Sequence, residues 1–243
     1  MEITEEYIKC NSASKDFKVV KYTFSENIDE LLLKDFSIKA KLLAENLNPV
    51  LARDSYRIRD KNTLYTNALA GVVSEFCWID QLNKKSIIEN KNLIISSTEY
   101  KDVKNQIDIL IKDEEKNLTH TAEVRSSFPY TGIKNGICKV FDIIGWYENY
   151  VKINEVKKEY YLRALFPYRV EEFNSKFDNT FDVYLAGGAT TKDLENNPNA
   201  KYKVFTPFYE NSYQSSTKYR VIEPIINAPD TIEISEKIIN FKI

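Results

Sequence analysis

IDILIKDEEKNLTHTAEVRS, which spans residues 107–126, is the stretch of this chain with the most legible local pattern. Residues 107–111 are apolar except for Asp108, a composition typical of a buried strand. The next residues, 112–117, are polar and charged and predict a turn, and residues 119–126 return as a second strand. The stretch therefore predicts an antiparallel β-hairpin that carries an acidic residue in each strand.

The sequence on either side of the hairpin alternates between helical and strand-like patterns. Apolar residues recur at helical spacing over residues 64–82 and again over residues 137–153. Residues 90–98 and 160–166 contain the β-branched and aromatic residues that favour strands. We further predict strands at 17–24, 181–185, 202–205 and 219–222, a helix beginning near Ser25, and a turn at Gly187-Gly188. The pattern predicts an α/β core with a β-rich C-terminal part.

Composition restricts the classes of protein to consider. The chain has 243 residues, 43% of them hydrophobic, with 34 Lys and Arg against 36 Asp and Glu, which is a globular composition of nearly balanced charge. A nucleic-acid-binding protein of this charge must segregate its basic residues onto one face. The acidic N-terminus and the lack of a long apolar run lead us to expect a cytoplasmic protein without a membrane span.

The cysteines also bear on the compartment. Cys10, Cys77 and Cys138 are far apart and form no CxxC pair, so we expect neither a zinc cluster nor a disulfide framework. Cys77 and Cys138 lie among apolar residues and are expected to be small core residues.

Three acidic residues stand in unusual surroundings. Glu75 lies on a helical turn that otherwise faces the core, and Asp108 and Glu123 lie in the two strands of the hairpin, where they can face one another. Arg125 follows Glu123 by two residues and so projects from the same face of its strand. A buried carboxylate is costly unless it is paired, protonated or bound to a cation, and several carboxylates together suit Mg²⁺ or Mn²⁺.

Each of these residues also has a plain structural explanation. Glu75 can be an exposed helix residue, and Asp108 an acid on an edge strand. Glu123 and Arg125 can form an ordinary ion pair on a solvated face.

The pattern resembles the PD-(D/E)XK nuclease superfamily, whose fold is called restriction-endonuclease-like. The resemblance rests on Asp108 in one strand, on Glu123-Val124-Arg125 in the next, and on Gly71-Val72-Val73-Ser74-Glu75 in the preceding helix. It covers roughly residues 64–167. It implies a central mixed sheet flanked by helices, formed by residues 61–167, with an N-terminal elaboration at 1–60 and a β-rich C-terminal elaboration at 168–243. It also implies a metal site of Glu75, Asp108 and Glu123, with Arg125 among the catalytic residues.

Arg125 departs from the family pattern, because a lysine usually stands at this position. An arginine stabilises negative charge but does not lose its proton at neutral pH, so it is a poor general base. One alternative is that a lysine elsewhere in the chain takes over this role, and Lys134 and Lys139 are the candidates. Another is that catalytic activity has been lost. Candidates for contacts to nucleic acid are Ser126, Ser127, Lys134, Lys139 and Arg57.

The sequence thus predicts an Mg²⁺- or Mn²⁺-dependent endonuclease that hydrolyses phosphodiester bonds in DNA. By analogy with the family, such a chain suits a restriction enzyme, acting as a homodimer, or an anti-phage defence nuclease with a helicase or ATPase partner. The alternative is a catalytically degenerate nuclease fold that binds nucleic acid or protein. A third hypothesis is an unrelated α/β protein.

An Arg125→Lys variant tests the departure from the family pattern. We expect it to cleave DNA as fast as the parent protein or faster, because lysine restores a group that can exchange a proton. The rate of plasmid cleavage measures this, and a clear fall would show that the arginine has a role that lysine cannot fill.

Overall fold

The computed structural model describes residues 1–11, 16–46, 60–98, 108–148, 156–204 and 218–242. The helices and strands are, in chain order, β1 (Glu2–Ile8), β2 (Phe17–Ser25), α1 (Glu26–Asn46), α2 (Lys61–Ile88), β3 (Leu93–Ser97), β4 (Ile109–Asp113), β5 (Leu118–Ser127), α3 (Ile133–Asn135), a π-helical turn (Gly136–Val140), β6 (Ile143–Glu148), β7 (Tyr160–Leu165), α4 (Val170–Phe177), β8 (Thr180–Thr190), α5 (Thr191–Asn196), β9 (Ala200–Val204), β10 (Lys218–Ile222) and α6 (Thr231–Ile239). The fold is α/β, as predicted.

Among the described residues, seven strands form one mixed sheet in the order β1-β2-β8-β7-β5-β4-β3, and three form a second sheet in the order β6-β10-β9. Strands β5 and β7 are parallel neighbours, whereas the other pairs are antiparallel. The predicted hairpin is confirmed as β4 and β5. The flanking segments extend the same sheet, because β2 pairs with β8 and β8 pairs with β7.

The large sheet separates two hydrophobic clusters. On one face its side chains pack with α1, α2, α4 and α6 around the fully buried Trp78, Phe36 and Phe173. On the other face they pack with the small sheet, α5 and the π-helical turn, around residues such as Ile143, Tyr161 and Leu194. Successive residues of a strand alternate between these two faces.

Helix α2 is well specified by its sequence. The Asp60 side chain accepts a hydrogen bond from the Thr63 backbone N–H at 2.7 Å, a cap of a kind that stabilises a helix by about 1 kcal/mol. Most residues between 68 and 78 are buried, including Leu69, Val73 and Cys77, so the middle of the helix is surrounded by protein rather than packed along one side. The predicted helix at 64–82 is therefore confirmed, with a start and an end several residues further out.

Two local predictions are wrong. The predicted helix at 137–153 is a π-helical turn at Gly136–Val140 followed by strand β6, and residues 149–155 lie outside the described residues. A short apolar run is compatible with helix or strand, and β6 is a strand because it pairs with the distant β10. Gly187-Gly188 is not a turn but an irregularity within β8, where the chain passes close to Pro229 before α6.

The expectation about cysteine is half wrong. Cys77 is a buried free thiol, as predicted, but Cys10 and Cys138 form a disulfide. It joins the chain just after β1 to the π-helical turn across 128 residues, a separation that sequence spacing does not show. Loop-closure entropy predicts that such a cross-link stabilises the folded state by roughly 5 kcal/mol.

In the described ranges, no helix combines the length and the hydrophobicity that crossing a bilayer requires.

Gly187 gives a direct test of this fold. It has φ +76°, and a Cβ at this position would collide with the Pro229 carbonyl oxygen and the Phe17 ring. We expect Gly187→Ala to lower the free energy of unfolding by about 3 kcal/mol, as measured by urea denaturation. The matched control is Gly71→Ala in α2, where a Cβ meets nothing within 4 Å. That change should instead stabilise the protein by about 0.5–1 kcal/mol. Equal effects of the two variants would contradict the described bend in β8.

Candidate functional site

Asp108 and Glu123 lie opposite each other at the start of the hairpin. Ile109 pairs with Ala122, so Asp108, one residue earlier, comes beside Glu123. The Asp108 N–H donates to the Ala122 carbonyl at 3.1 Å, and its carboxylate accepts from the Val124 N–H at 2.7 Å. Asp108 therefore lies just before strand β4 rather than within it.

Burial and neighbouring charge both act on Asp108. Desolvation raises the pKa of its carboxyl well above the usual value, and the negative charges of Glu123 and Glu75 raise it further. The Val124 N–H and the Arg125 guanidinium oppose this shift. Asp108 is thus the acid on which the charges of both Glu123 and Glu75 act.

Glu75 is buried within α2, with 6% of its surface exposed, so its explanation as an exposed helix residue is wrong. Burial raises the pKa of its carboxyl to about 7, although a hydrogen bond with the Ser97 side chain and the charge of Lys39 lower it. Ser97 ends β3, the strand beside β4, so Glu75 reaches the same end of the sheet as Asp108.

Glu123 is only 4% exposed and lies between two cations. One carboxylate oxygen is 2.7 Å from Arg125 Nη2, and the other is 3.6 Å from Lys158 Nζ. The ion pair of Glu123 and Arg125 does form, but it is buried rather than solvated. Such a pair costs desolvation energy, which only good geometry and further hydrogen bonds offset.

Arg125 has those further contacts. Its Nη1 donates to the Tyr147 hydroxyl at 2.6 Å, its Nη2 lies 3.5 Å from the Gly145 carbonyl, and the guanidinium stacks over the Tyr147 ring at 4.8 Å. These partners belong to β6, so Arg125 joins the two sheets. Because a lysine at position 125 cannot make all these contacts, a melting curve must accompany any activity measured for Arg125→Lys.

Lys158 is the residue that sequence reasoning missed. It is 1% exposed and precedes β7 by two residues, beside the parallel strand β5. Its backbone N–H donates to the Tyr161 hydroxyl at 3.1 Å, which fixes the chain at this point. The only local signal is the pair Lys157-Lys158 before an apolar strand. The sequence does not indicate which lysine faces inward, or that β7 adjoins β5.

The two predicted serines lie in different surroundings, since residues 126 and 127 point to opposite faces of β5. Ser127 shares the face of Glu123 and Arg125, and its hydroxyl accepts from Arg163 Nη2 at 2.7 Å. Arg163 is buried and lies beside Arg125 in the parallel register. Ser126 lies on the helix-covered face and pairs in register with Ala164.

Two other predicted contacts to nucleic acid, Lys134 and Lys139, do not join this group. Lys134 and Lys139 are exposed and line a separate cavity beside Cys10 and Cys138, and none of the described residues that line it is one of the three acids. Arg57 lies outside the described residues.

The three acids do not make a finished ligand set. Within the described residues, no three His, Cys, Asp or Glu side chains are grouped so that they could hold a metal ion. Glu123 is turned toward Arg125 and Lys158 instead. All three acids nevertheless offer only oxygen, the donor that Mg²⁺ and Mn²⁺ prefer. Burial, and after it repulsion from the other two acids, raises the pKa of Asp108, and a divalent cation would relieve the repulsion.

Comparison with known proteins identifies one relative of note. An uncharacterized protein of Methanocaldococcus jannaschii is 27% identical over 244 aligned positions, covering 86% of this chain and 82% of that protein. No protein-family model matches the chain, and no solved structure matches it significantly. The similarity extends over most of both chains rather than over one motif, and the relative's name assigns it no activity.

The raised pKa of Glu75 predicts a pH effect on stability. Its folded-state pKa is about 7 against 4.5 for the free side chain, so the folded protein binds more protons between these values and loses stability as pH rises through them. Glu75→Gln removes this loss. We expect its stability relative to the parent to rise by about 3 kcal/mol between pH 4 and pH 8, measured by urea denaturation in EDTA.

Glu89→Gln is the matched control for this measurement. The Lys85 side chain lowers the pKa of Glu89, so this variant should lose stability relative to the parent as pH rises. If the free energy of unfolding changed with pH by the same amount in the parent and in Glu75→Gln, the burial of an ionisable Glu75 would be contradicted.

Proposed function

We propose that this protein is a metal-dependent endonuclease that hydrolyses phosphodiester bonds in DNA. The observation that carries the proposal is the position of Glu123. It is buried beside Asp108 on the neighbouring strand and held between Arg125 and Lys158. Acids and cations so combined in one place are suited to bind a metal ion and a phosphate together.

The order of the elements supports the proposal. Helix α2 carries Glu75 and precedes three antiparallel strands, β3 to β5, and a crossover then leads to β7, parallel to β5. The helix with Glu75, the hairpin with its two acids and the later strand thus follow one another in the order that the resemblance to restriction-endonuclease-like proteins covers. The crossover differs, because it contains the π-helical turn and β6 where we expected a long helix.

Asp108 would hold the Mg²⁺ or Mn²⁺ ion together with Glu75 and Glu123. Glu75 comes from α2 on the helix-covered face and Glu123 faces the small sheet, so the two would share an ion only at the end of the sheet where Asp108 lies. The chemistry that the ion supplies when bound is polarisation of the scissile phosphate and activation of the attacking water. Lys158, 3.6 Å from the Glu123 carboxylate, would supply a positive charge that stabilises negative charge developing on a phosphate bound there.

Lys158 brings a second cation to Glu123, beside Arg125. It approaches Glu123 from the segment before β7 and would serve in place of the lysine that the family has two residues after the acid. Arg125 then orients Glu123 and links the two sheets. Lys158 replaces Lys134 and Lys139 as the candidate for the displaced lysine.

A second candidate function is binding without catalysis. It is favoured by the arginine at position 125 and by the engagement of Glu123 with two cations rather than with a shared metal position. In that case the acids and cations stabilise the sheet, and nucleic acid or a protein partner binds elsewhere.

The biological setting that we propose follows the nuclease assignment. A cytoplasmic restriction enzyme would act as a homodimer, with one active site for each strand of DNA. An anti-phage defence nuclease would instead work with a helicase or ATPase partner.

A cleavage assay tests the function. We expect purified protein to cut supercoiled, linear or single-stranded DNA with Mg²⁺ or Mn²⁺, and Asp108→Ala and Glu123→Ala to abolish the cutting. We expect Lys158→Met to lower the rate at least ~100-fold, since it removes a charge from the reacting phosphate. Lys157→Met is the matched control, because Lys157 is the adjacent residue but half exposed, and it should keep its activity.

The outcomes separate the two candidate functions. No cleavage with either metal, together with DNA binding in a gel-shift assay in EDTA, would replace the nuclease with the binding module. Melting curves of all variants must match the parent, so that a loss of activity is not a loss of folding. Equal rates for Lys158→Met and Lys157→Met would remove Lys158 from the mechanism and leave the metal assignment to Asp108 and Glu123.

A further inference from the structure

A cavity of about 530 Å³ lies away from the three acids, between the residues just after β1 and the segment that follows β5. Both cysteines of the disulfide line it, together with Asn11 and residues 131–135 and 139. Cys10 and Cys138 are only 6% and 8% exposed, but because both line the cavity, a small molecule inside it would lie beside the disulfide.

We propose that this cavity is a thiol-exchange site, in which an anionic low-molecular-weight thiol opens the disulfide between Cys10 and Cys138. The thiolate attacks one sulfur, forms a mixed disulfide with that cysteine and releases the other cysteine as a thiolate. A second molecule of the thiol attacks the mixed disulfide and frees the remaining cysteine. Two electrons pass from two thiols to the protein, and the small thiol leaves as its own disulfide.

The charge around the cavity selects the kind of thiol. Lys134 and Lys139 line it, and Lys139 follows Cys138 directly in the chain. None of the described lining residues is Asp or Glu. Positive charge attracts an anionic thiol and stabilises the cysteine thiolate that leaves, since cations favour the charged form of a thiol.

The place of the disulfide gives the exchange a structural consequence. Cys138 lies within the π-helical turn, which connects β5 to β6, and Cys10 anchors that turn to the end of β1. Opening the bond removes the covalent tie while the hydrogen bonds of the turn, such as Phe141 N–H to the Gly136 carbonyl, remain. We therefore expect faster amide exchange in residues 136–140 after reduction, without global unfolding.

Cys77 provides an internal control. It is fully buried in the helix-covered cluster, on the opposite side of the large sheet from the disulfide, and burial raises the pKa of its thiol well above the usual value. A thiol or alkylating reagent that reaches only the cavity leaves Cys77 untouched.

The test treats the native protein, purified without reductant, with glutathione or with 2-mercaptoethanol, one anionic and one neutral thiol. Samples are trapped with an alkylating reagent and mapped by mass spectrometry. We expect a mixed disulfide on Cys10 or Cys138 and no modification of Cys77. In a Lys134→Gln/Lys139→Gln double variant, we expect the rate with glutathione to fall about 3- to 10-fold and the rate with 2-mercaptoethanol to change less than about 2-fold.

Three results would overturn the proposal. One is exchange that begins only when urea unfolds the protein, which makes the bond a sealed structural cross-link. Another is an equal effect of the two lysine substitutions on both thiols. The third is the finding of Cys10 and Cys138 as free thiols in the protein purified without reductant. None of these readouts depends on DNA cleavage, so this test is independent of the proposed nuclease function.

Discussion

The buried carboxylate of Glu123 is the constraint on which the organisation of this protein depends. A charge in the interior of a sheet costs several kcal/mol unless cations and hydrogen bonds surround it. Arg125 comes from the same strand, but Lys158 comes from the segment before β7. The pairing of β5 with β7 is therefore both a backbone contact and the means of placing a lysine beside Glu123. Arg125 in turn reaches β6, so one carboxylate connects the two sheets.

Alternate residues of strand β5 serve two purposes, hydrophobic packing on one face of the sheet and charge pairing on the other. Ala122 and Val124 face the helices and belong to the hydrophobic cluster, whereas Glu123 and Arg125 face the small sheet. An apolar residue in place of Glu123 would satisfy the same position at no electrostatic cost, and buried ion pairs are often no more stabilising than such replacements. Conflicts of this kind between local rules and burial are typical of functional sites.

Much of the fold could be predicted from the sequence, because the patterns involved are local. The helical spacing of apolar residues over 64–82, and the apolar run, polar turn and returning strand over residues 107–126, each depend on neighbouring residues. The nature of residues 143–148 could not be predicted, since β6 is a strand only by virtue of β10, about 70 positions later in the chain. The disulfide was missed for the same reason. Of the candidate site, the three acids and Arg125 could be predicted from their apolar surroundings and spacing. Lys158 could not, because its relation to Glu123 follows from a parallel pairing between distant strands.

The site and the disulfide are linked by the segment between β5 and β6. This segment begins after Ser127, which holds Arg163, and passes through Cys138 in the π-helical turn. It then leads to Gly145 and Tyr147, which hold Arg125. The cross-link fixes the middle of a connection that contacts the buried Arg163 at one end and the partly buried Arg125 at the other. A connection anchored in this way restricts the positions that β6 can adopt relative to β5, and therefore the orientation of the guanidinium that holds Glu123. The disulfide and the ion pair of Glu123 and Arg125 thus both restrict the position of β6 relative to β5.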